Sequence, residues 1–352
     1  LLLVLFFPLS IIAEPSEDFF YYYLPYLEYL YTSNILVGLV NINDILAFST
    51  NSLFDILVFF KIPNFLENGF SVLILIFYVF LIYFLIDLIL KNKNDIFYFL
   101  ILCLSLISFA KLRDFGTTTP PQLLMISTGC LIYYIYFKDF TEEILLKIII
   151  LATLAIILRF SSIIILPIIL IPLLFNYRKN LNLFLKIKIP LFFLFLVFFI
   201  FLIKNILHSG CLVYPAYQTC FTKLAWSANI EFTKMKYKKL KSDSMGWPFY
   251  AKENFNIKNK FVWKNLKKKG FKSYDLYASS YPWFWAKYWI KDHNYKKIIN
   301  LFFITLFAII FLIVLNREKK LSENKKTKIS FFGLTIIISA FIWFIISPQM
   351  RY

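Results

Sequence analysis

Apolar residues run along this chain in long blocks broken by short polar stretches, and that punctuation predicts an all-α protein built from membrane-spanning helices. A helix needs about 20 mostly apolar residues to cross the hydrocarbon core, and fewer where flanking side chains reach back to the interface. Suitable blocks cover 69–90, 96–110, 121–137, 144–158, 163–175, 189–203, 298–316 and 329–346, with a shorter one at 1–13. The chain opens inside this first block without an initiator Met and stops at Gln349-Met350-Arg351-Tyr352, so it reads as a slice of a longer protein. No basic segment precedes 1–13 and no small-x-small cleavage site follows it, so it reads as the end of a truncated span rather than a signal peptide.

Charge in the breaks orients the spans, because Lys and Arg of short loops stay cytoplasmic. Segment 176–188 carries Arg178, Lys179, Lys186 and Lys188 without an acid, 317–328 is rich in Lys, and 91–95 carries Lys91 and Lys93. All three fall on one side if 144–175 is a hairpin turning at Arg159-Phe160-Ser161-Ser162. The cytoplasmic loops are then 91–95, 138–143, 176–188 and 317–328. The outer face receives 14–68, 111–120, 159–162, 204–297 and the C-terminal stub. Three regions follow. The first, 1–203, holds the N-terminal spans with the first outer loop 14–68. The second, 204–297, is a basic, aromatic outer loop, and the third, 298–352, holds the last spans.

Within 14–68, residues 19–31 predict an amphipathic aromatic helix lying in the interface, and 43–60 a second short helix. Loop 204–297 has 19 Lys against 5 acids, a surplus of 14 in a chain of net charge +18, and six of the seven Trp. Its Tyr281-Pro282-Trp283-Phe284-Trp285 run, followed by Trp289, suits an interfacial aromatic belt just before 298–316.

Composition excludes a soluble reading. Hydrophobic residues make up 60% of the chain and charged residues 16%, against roughly 45–50% and 25% in soluble domains. Cys211 and Cys220 stand nine positions apart around Pro215 in the outer loop, where an oxidising compartment would let them pair; two free thiols are the alternative. Cys103 and Cys130 lie in spans and read as small hydrophobes. With only His208 and His293, a zinc site is not expected. Gly116 and Gly210 stand alone, and no phosphate-cradling loop occurs, which disfavours a nucleotide-sugar or ATP site. The Lys234–Lys272 stretch suits anionic lipid headgroups or acidic glycans, and its outer placement argues against nucleic acid.

The strongest local chemical signal is the acidic cluster Glu14, Glu17 and Asp18, placed just after the first block and ahead of an aromatic segment. A carboxylate there can act as general base toward an acceptor hydroxyl or amine, bind a metal, pair with a cation, or simply cap a helix; the residues alone leave these open. The same arrangement resembles the GT-C superfamily of membrane glycosyltransferases, and more closely a group of poorly characterised bacterial GT-C-like proteins. Asp18-Phe-Phe-Tyr-Tyr-Tyr23-Leu-Pro25-Tyr resembles that group's Asp-x4-His-Leu-Pro-Tyr pattern, with Tyr23 standing where the group has His. Gly38-Leu-Val-Asn41-Ile-Asn43, Phe48-Ser-Thr-Asn-Ser52, Lys204-Asn-Ile-Leu-His208-Ser-Gly210-Cys-Leu-Val-Tyr214-Pro215 and Pro348-Gln-Met-Arg351-Tyr352 resemble its further motifs.

The resemblance implies a GT-C-like bundle in a bacterial inner membrane, with the active site on the periplasmic face. It implies inverting transfer of a sugar from a polyprenyl-phosphate donor. Asp18 would be the catalytic carboxylate, Glu17 its neighbour or substitute, and Asp114 a second acid. Candidate cations for the departing phosphate are Arg159, Arg351, Lys204 and Arg113, the arginines favoured for their bidentate fork. Tyr23, His208 and Tyr214 would contact substrate. No metal ligands are assigned, although a divalent cation is compatible. A hairpin turn with the charge reaching outward is the plain alternative for Arg159, and a surface neighbour pair for Arg113 and Asp114. A transporter or flippase of lipid-linked sugars would carry charged or Gly/Pro-broken helices near the membrane midplane; Asp87 lies near a cytoplasmic end and the remaining blocks are almost free of charge, which counts against it. A polymerase-type ligase relies on outer-loop arginines, and 204–297 has none.

Overall fold

The computed structural model describes residues 24–33, 36–48, 69–91, 119–137, 141–167, 183–247 and 279–292, with 4, 7–8, 98, 101–102, 169–170, 250 and 277. Every regular element among them is helical, and the only strand-like pairing they contain is an isolated bridge between Cys211 and Cys220. The chain divides into two compact units. The first holds the described residues up to Tyr214 together with Thr219–Ala228; the second holds Pro215–Gln218 and the described residues from Asn229 onward.

The first unit contains α1 (Leu24–Ser33), α2 (Leu39–Ile42), α3 (Gly69–Lys91), α4 (Thr119–Phe137), α5 (Glu142–Leu158), a 3-10 helix (Phe160–Ile165) and α6 (Lys188–Ser209). Local chemistry sets several of these ends. Helix α4 opens on Thr119-Pro120-Pro121, where proline pre-sets the helical φ and gives up an N–H that the first turn leaves unbonded anyway. Thr141 caps α5 by accepting a hydrogen bond from the Ile144 N–H, and Glu142 and Glu143 face the positive end of its dipole. Arg159 ends α5 in an extended conformation, φ −154° and ψ 110°. Residues 144–175 are therefore not one continuous helix, and the break falls where the hairpin expectation requires it.

The core of this unit joins Tyr26, Leu27 and Leu30 of α1 to Leu124, Leu131 and Ile132 of α4 and to Ile148, Leu151 and Ala155 of α5. A second cluster packs Tyr78, Leu81 and Leu85 of α3 against Leu123 and Cys130 of α4. Buried hydroxyls inside α4 are satisfied locally: Ser127 donates to the Leu123 carbonyl at 3.0 Å and Thr128 to that of Leu124 at 2.8 Å. Helix α1 covers 24–31 of the helix expected over 19–31, and residues 19–23 lie outside the described set; Tyr26, Leu27 and Leu30 pack on protein, with Glu28, Tyr29 and Thr32 left outside. Within the second helix expected over 43–60, residues 44–47 form a turn in which the Asn43 carboxamide oxygen accepts from the Ile45 N–H. Residues 49–60 lie outside the described set.

Three polar segments meet at one end of the first unit. Lys186 Nζ lies 2.6 Å from a Glu142 carboxylate oxygen, and Lys91 lies 2.7 Å from Asp87. Glu143 is held below the usual carboxylate range by its hydrogen bond and charge pairing with Lys147 and, more weakly, by Lys91. Residues within or flanking 91–95, 138–143 and 176–188 thus lie at one end of the bundle, where loop charge placed 91–95 and 176–188 and the alternation of spans placed 138–143.

Helix α6 is apolar on all sides. Phe192, Phe193, Phe195, Phe199 and Ile200 are exposed, Phe195 to 66%, although water would penalise such surface. Two helices are long and apolar enough to cross a membrane, α6 itself and Ile74–Lys91 within α3; a shorter apolar stretch, Leu123–Tyr134, lies within α4. The core helix of a soluble protein would bury such side chains, and only 11% of the α6 window is buried.

The second unit contains α7 (Ile230–Ser244) and α8 (Pro282–Asp292). Asn229 caps α7 by accepting from the N–H groups of Glu231 and Phe232. Trp285, Tyr288 and Trp289 of α8 are buried with Trp247 and Tyr277, and Tyr250 packs into the same group, its ring 4.8 Å from that of Tyr277. Gly246 permits this approach. At φ +86°, a Cβ there would lie 2.6 Å from the Tyr288 carbonyl carbon. The belt expected over 281–289 is therefore split, since Trp285 and Trp289 build a protein core instead of facing lipid.

Candidate functional site

The apolar run of α6 ends in a polar last turn. Asn205, His208 and Ser209 are buried there, although the preceding helix surface faces outward. Buried polar groups must find hydrogen bonds. Ser209 Oγ donates to the Asn205 carbonyl at 2.8 Å, and Asn205 Nδ2 donates to the Leu212 carbonyl at 2.9 Å. Gly210 then closes the helix in the left-handed conformation, φ +75°, its N–H bonded to Ile206 O at 2.7 Å.

Beyond the helix the chain folds back as a small knot. Cys211 and Cys220 are joined by a disulfide. Leu212 N–H donates to Thr219 O, Phe221 N–H to Gly210 O, and Ala228 N–H to Ser209 O. The Trp226 indole N–H reaches the Ile206 carbonyl at 3.1 Å. Helix α2 is tied to the same knot across a long stretch of sequence. Gly38 N–H donates to Leu207 O at 2.8 Å, and Asn41 Nδ2 to Trp226 O at 2.9 Å.

Tyr214 occupies the centre, 2% exposed, with its ring edge-on to Phe48 at 5.5 Å. Burial pushes its phenol well above the ordinary tyrosine range, and the nearby Asp44 carboxylate adds to the effect. The Tyr214 hydroxyl and Ser227 Oγ are buried and make no hydrogen bond with the described residues. His208 meets Tyr26 of α1 edge-to-face, ring centroids 6.1 Å apart. Chemically this is a tight, desolvated patch of amide, hydroxyl, imidazole and carboxylate at the end of a helix with an exposed apolar surface.

Of the residues singled out from sequence, His208, Tyr214, Cys211 and Cys220 come together in this knot. Lys204 lies one turn before His208 on α6, half-exposed, with its ammonium 5.7 Å from the Phe201 ring centroid. Arg159 caps the end of α5 and is half-buried. Asp18, Glu17, Tyr23, Arg113, Asp114 and Arg351 lie outside the described residues. Asp44 stands, with Asn43, where the GT-C-like group has another His, and Asn205 and Ser209 lie inside the Lys204–Pro215 motif, but sequence assigns them no role; Ser227 carries no sequence signal. For Asn205 and Ser209 a signal was present, their place in that motif at the end of a lipid-length apolar run. Among the described residues, no three His, Cys, Asp or Glu side chains come together to hold a metal.

Breaking the disulfide tests the knot's contribution to stability. Replacing Cys211 and Cys220 together by Ser is expected to cost about 2–3 kcal/mol, the chain entropy released by opening a loop of this length. It should appear as a lower thermal midpoint in detergent, and the unchanged wild-type chain should resist alkylation at both positions until reduced. An unaltered midpoint would leave the pin without a structural role.

No curated protein and no solved structure shows significant similarity to this chain. Residues 1–274, more than three quarters of the chain, match the profile of one protein family, and the chain belongs to that family, described as Domain of unknown function (DUF8201).

Proposed function

We propose that the chain is a multi-pass, GT-C-like membrane glycosyltransferase that moves a sugar from a polyprenyl-phosphate donor to an acceptor outside the cytoplasm. One observation carries the reading: segments resembling three separate GT-C-like motifs meet at the end of α6. Tyr26, from the segment after Asp18, touches His208; Gly38 and Asn41 bond to the knot; and Phe48 packs on Tyr214. The exposed apolar surface of α6 supports a membrane setting. The gathering of Lys91, Glu142 and Lys186 at one end supports the sidedness, with the knot at the C-terminal end of α6 on the outer face.

In this mechanism the Asp18 carboxylate takes the proton of the acceptor hydroxyl, or of an acceptor amine. The acceptor atom then bonds to the anomeric carbon from the face opposite the phosphate. The bond between that carbon and the phosphate oxygen breaks, and the polyprenyl phosphate leaves with the electron pair. Arg159, Arg351 and Lys204 are the candidates to neutralise its charge, and Asp114 is a second acid for the same site. The buried polar groups of the knot would position the sugar, because a desolvated site strengthens each hydrogen bond it makes.

A deletion strain provides the test. Its surface glycans should lack one sugar, and the loaded polyprenyl-phosphate donor should accumulate on the outer leaflet. Donor accumulating on the inner leaflet would instead indicate a flippase, and unchanged glycans would remove the enzyme reading.

A further inference from the structure

Helix α8 has two unlike faces. Trp285, Tyr288 and Trp289 point into the core of the second unit, and Gly246 packs against the backbone there. The opposite face presents Phe284, Lys287, Ile290 and Lys291, with Phe284 41% exposed, and Tyr281, 66% exposed, stands just before the helix. Phe284, Lys287 and Lys291 follow at i, i+3 and i+7, so they form a single stripe. The Lys287 ammonium lies 4.6 Å from the Tyr288 ring centroid, which fixes the charge close to the aromatic surface. The only acid in the helix, Asp292, is its last residue.

We infer that this face is an interfacial anchor that docks onto a bilayer rich in anionic lipid, its aromatic and aliphatic side chains in the headgroup layer and Lys287 and Lys291 against lipid phosphates. An exposed aromatic and an aliphatic side chain interleaved with lysines on one helix face fit the boundary between hydrocarbon and anionic headgroups. An acidic glycan would match the lysines but would leave Phe284 and Ile290 against water. Sequence also ties the helix to the membrane. The apolar block 298–316 begins six residues after Asp292, at most about 20 Å of extended chain. The inference rests on the chain's crossing a membrane and is independent of glycosyl transfer.

The test uses the full chain with Phe284→Cys carrying an environment-sensitive NBD fluorophore, with the parent chain as the labelling blank. Samples are nanodiscs of phosphatidylcholine alone and with phosphatidylglycerol added. The label should report a water-shielded environment in the anionic discs and a more aqueous one in the neutral discs. Lys287→Gln and Lys291→Gln should each lower the docked-to-undocked ratio about five-fold, the equivalent of about 1 kcal/mol per lysine near an anionic surface. Raising salt on the chain with both lysines intact should act in the same direction, which checks the charge term without relying on a variant's folding. Water-like emission in both discs overturns the inference. So does shielding that ignores lipid charge, salt and both lysines, the signature of a protein partner or a second copy covering the face. A chain that fails to enter nanodiscs at all would instead overturn the membrane reading beneath it.

Discussion

Gly210→Ala is expected to destabilise the fold by about 3–5 kcal/mol, more than any other single methyl group added to the described knot. Two costs combine. A non-glycine residue held in the left-handed region costs about 1–3 kcal/mol, and at φ +75° residue 210 has no room to leave it without breaking the α6 end. Overpacking adds a similar amount, because the new Cβ would lie 2.7 Å from Ser227 Cα and closer still to the Ser227 side chain. Thermal midpoints in detergent, together with alkylation of Cys211 and Cys220 under non-reducing conditions, would report the loss. Adding Ser227→Gly should recover part of it, since two of the three crowding atoms go while the backbone strain remains. A Gly210→Ala chain with the parent midpoint would show that the α6 terminus is not held as described.

Asp18→Asn should lower sugar transfer by roughly 10²–10⁴-fold, the usual contribution of a positioned general base, with insertion and thermal midpoint unchanged. The substitution keeps the size of the side chain, removes its negative charge and its ability to accept the proton, and leaves it polar. Measured on the isolated chain with a polyprenyl-phosphate sugar donor, the fall should appear in turnover more than in the donor concentration needed for half-maximal rate, because the proton moves in the transition state. Full activity in this variant would take Asp18 out of the mechanism.

Helix positions were legible in four of the apolar blocks because lipid-length runs leave few alternatives; 163–175 opens inside the 3-10 helix, and 1–13, 96–110, 298–316 and 329–346 lie wholly or largely outside the described residues. The expected 69–90, 121–137 and 144–158 compare with α3 at 69–91, α4 at 119–137 and α5 at 142–158. The expected 189–203 became 188–209, and the difference has a physical cause. Hydropathy stops at the first polar residues, whereas Asn205 and Ser209 continue the helix because their hydrogen bonds are satisfied by the helix and the turn after it. The true stop signal was Gly210, a helix-ending glycine visible in the sequence. The inward half of the 281–289 aromatics was not legible, since Trp285 and Phe284 look equally suited to lipid until Gly246 is seen to bring α8 close. Nor could spacing show that Gly38 and Asn41 bond to the α6 knot, as contacts over such separations leave no local pattern. The disulfide was half-legible: compartment and spacing allowed it, and only geometry distinguishes it from two thiols.

The hydrogen bond from Asn41 to Trp226 joins residues 185 apart in the chain. A ribosome working at roughly 5–20 residues per second makes the early partner wait roughly 10–40 s for the late one. During that interval the N-terminal segment has already been synthesised without its mate. A chain terminated before Trp226 would therefore leave Asn41 without this partner.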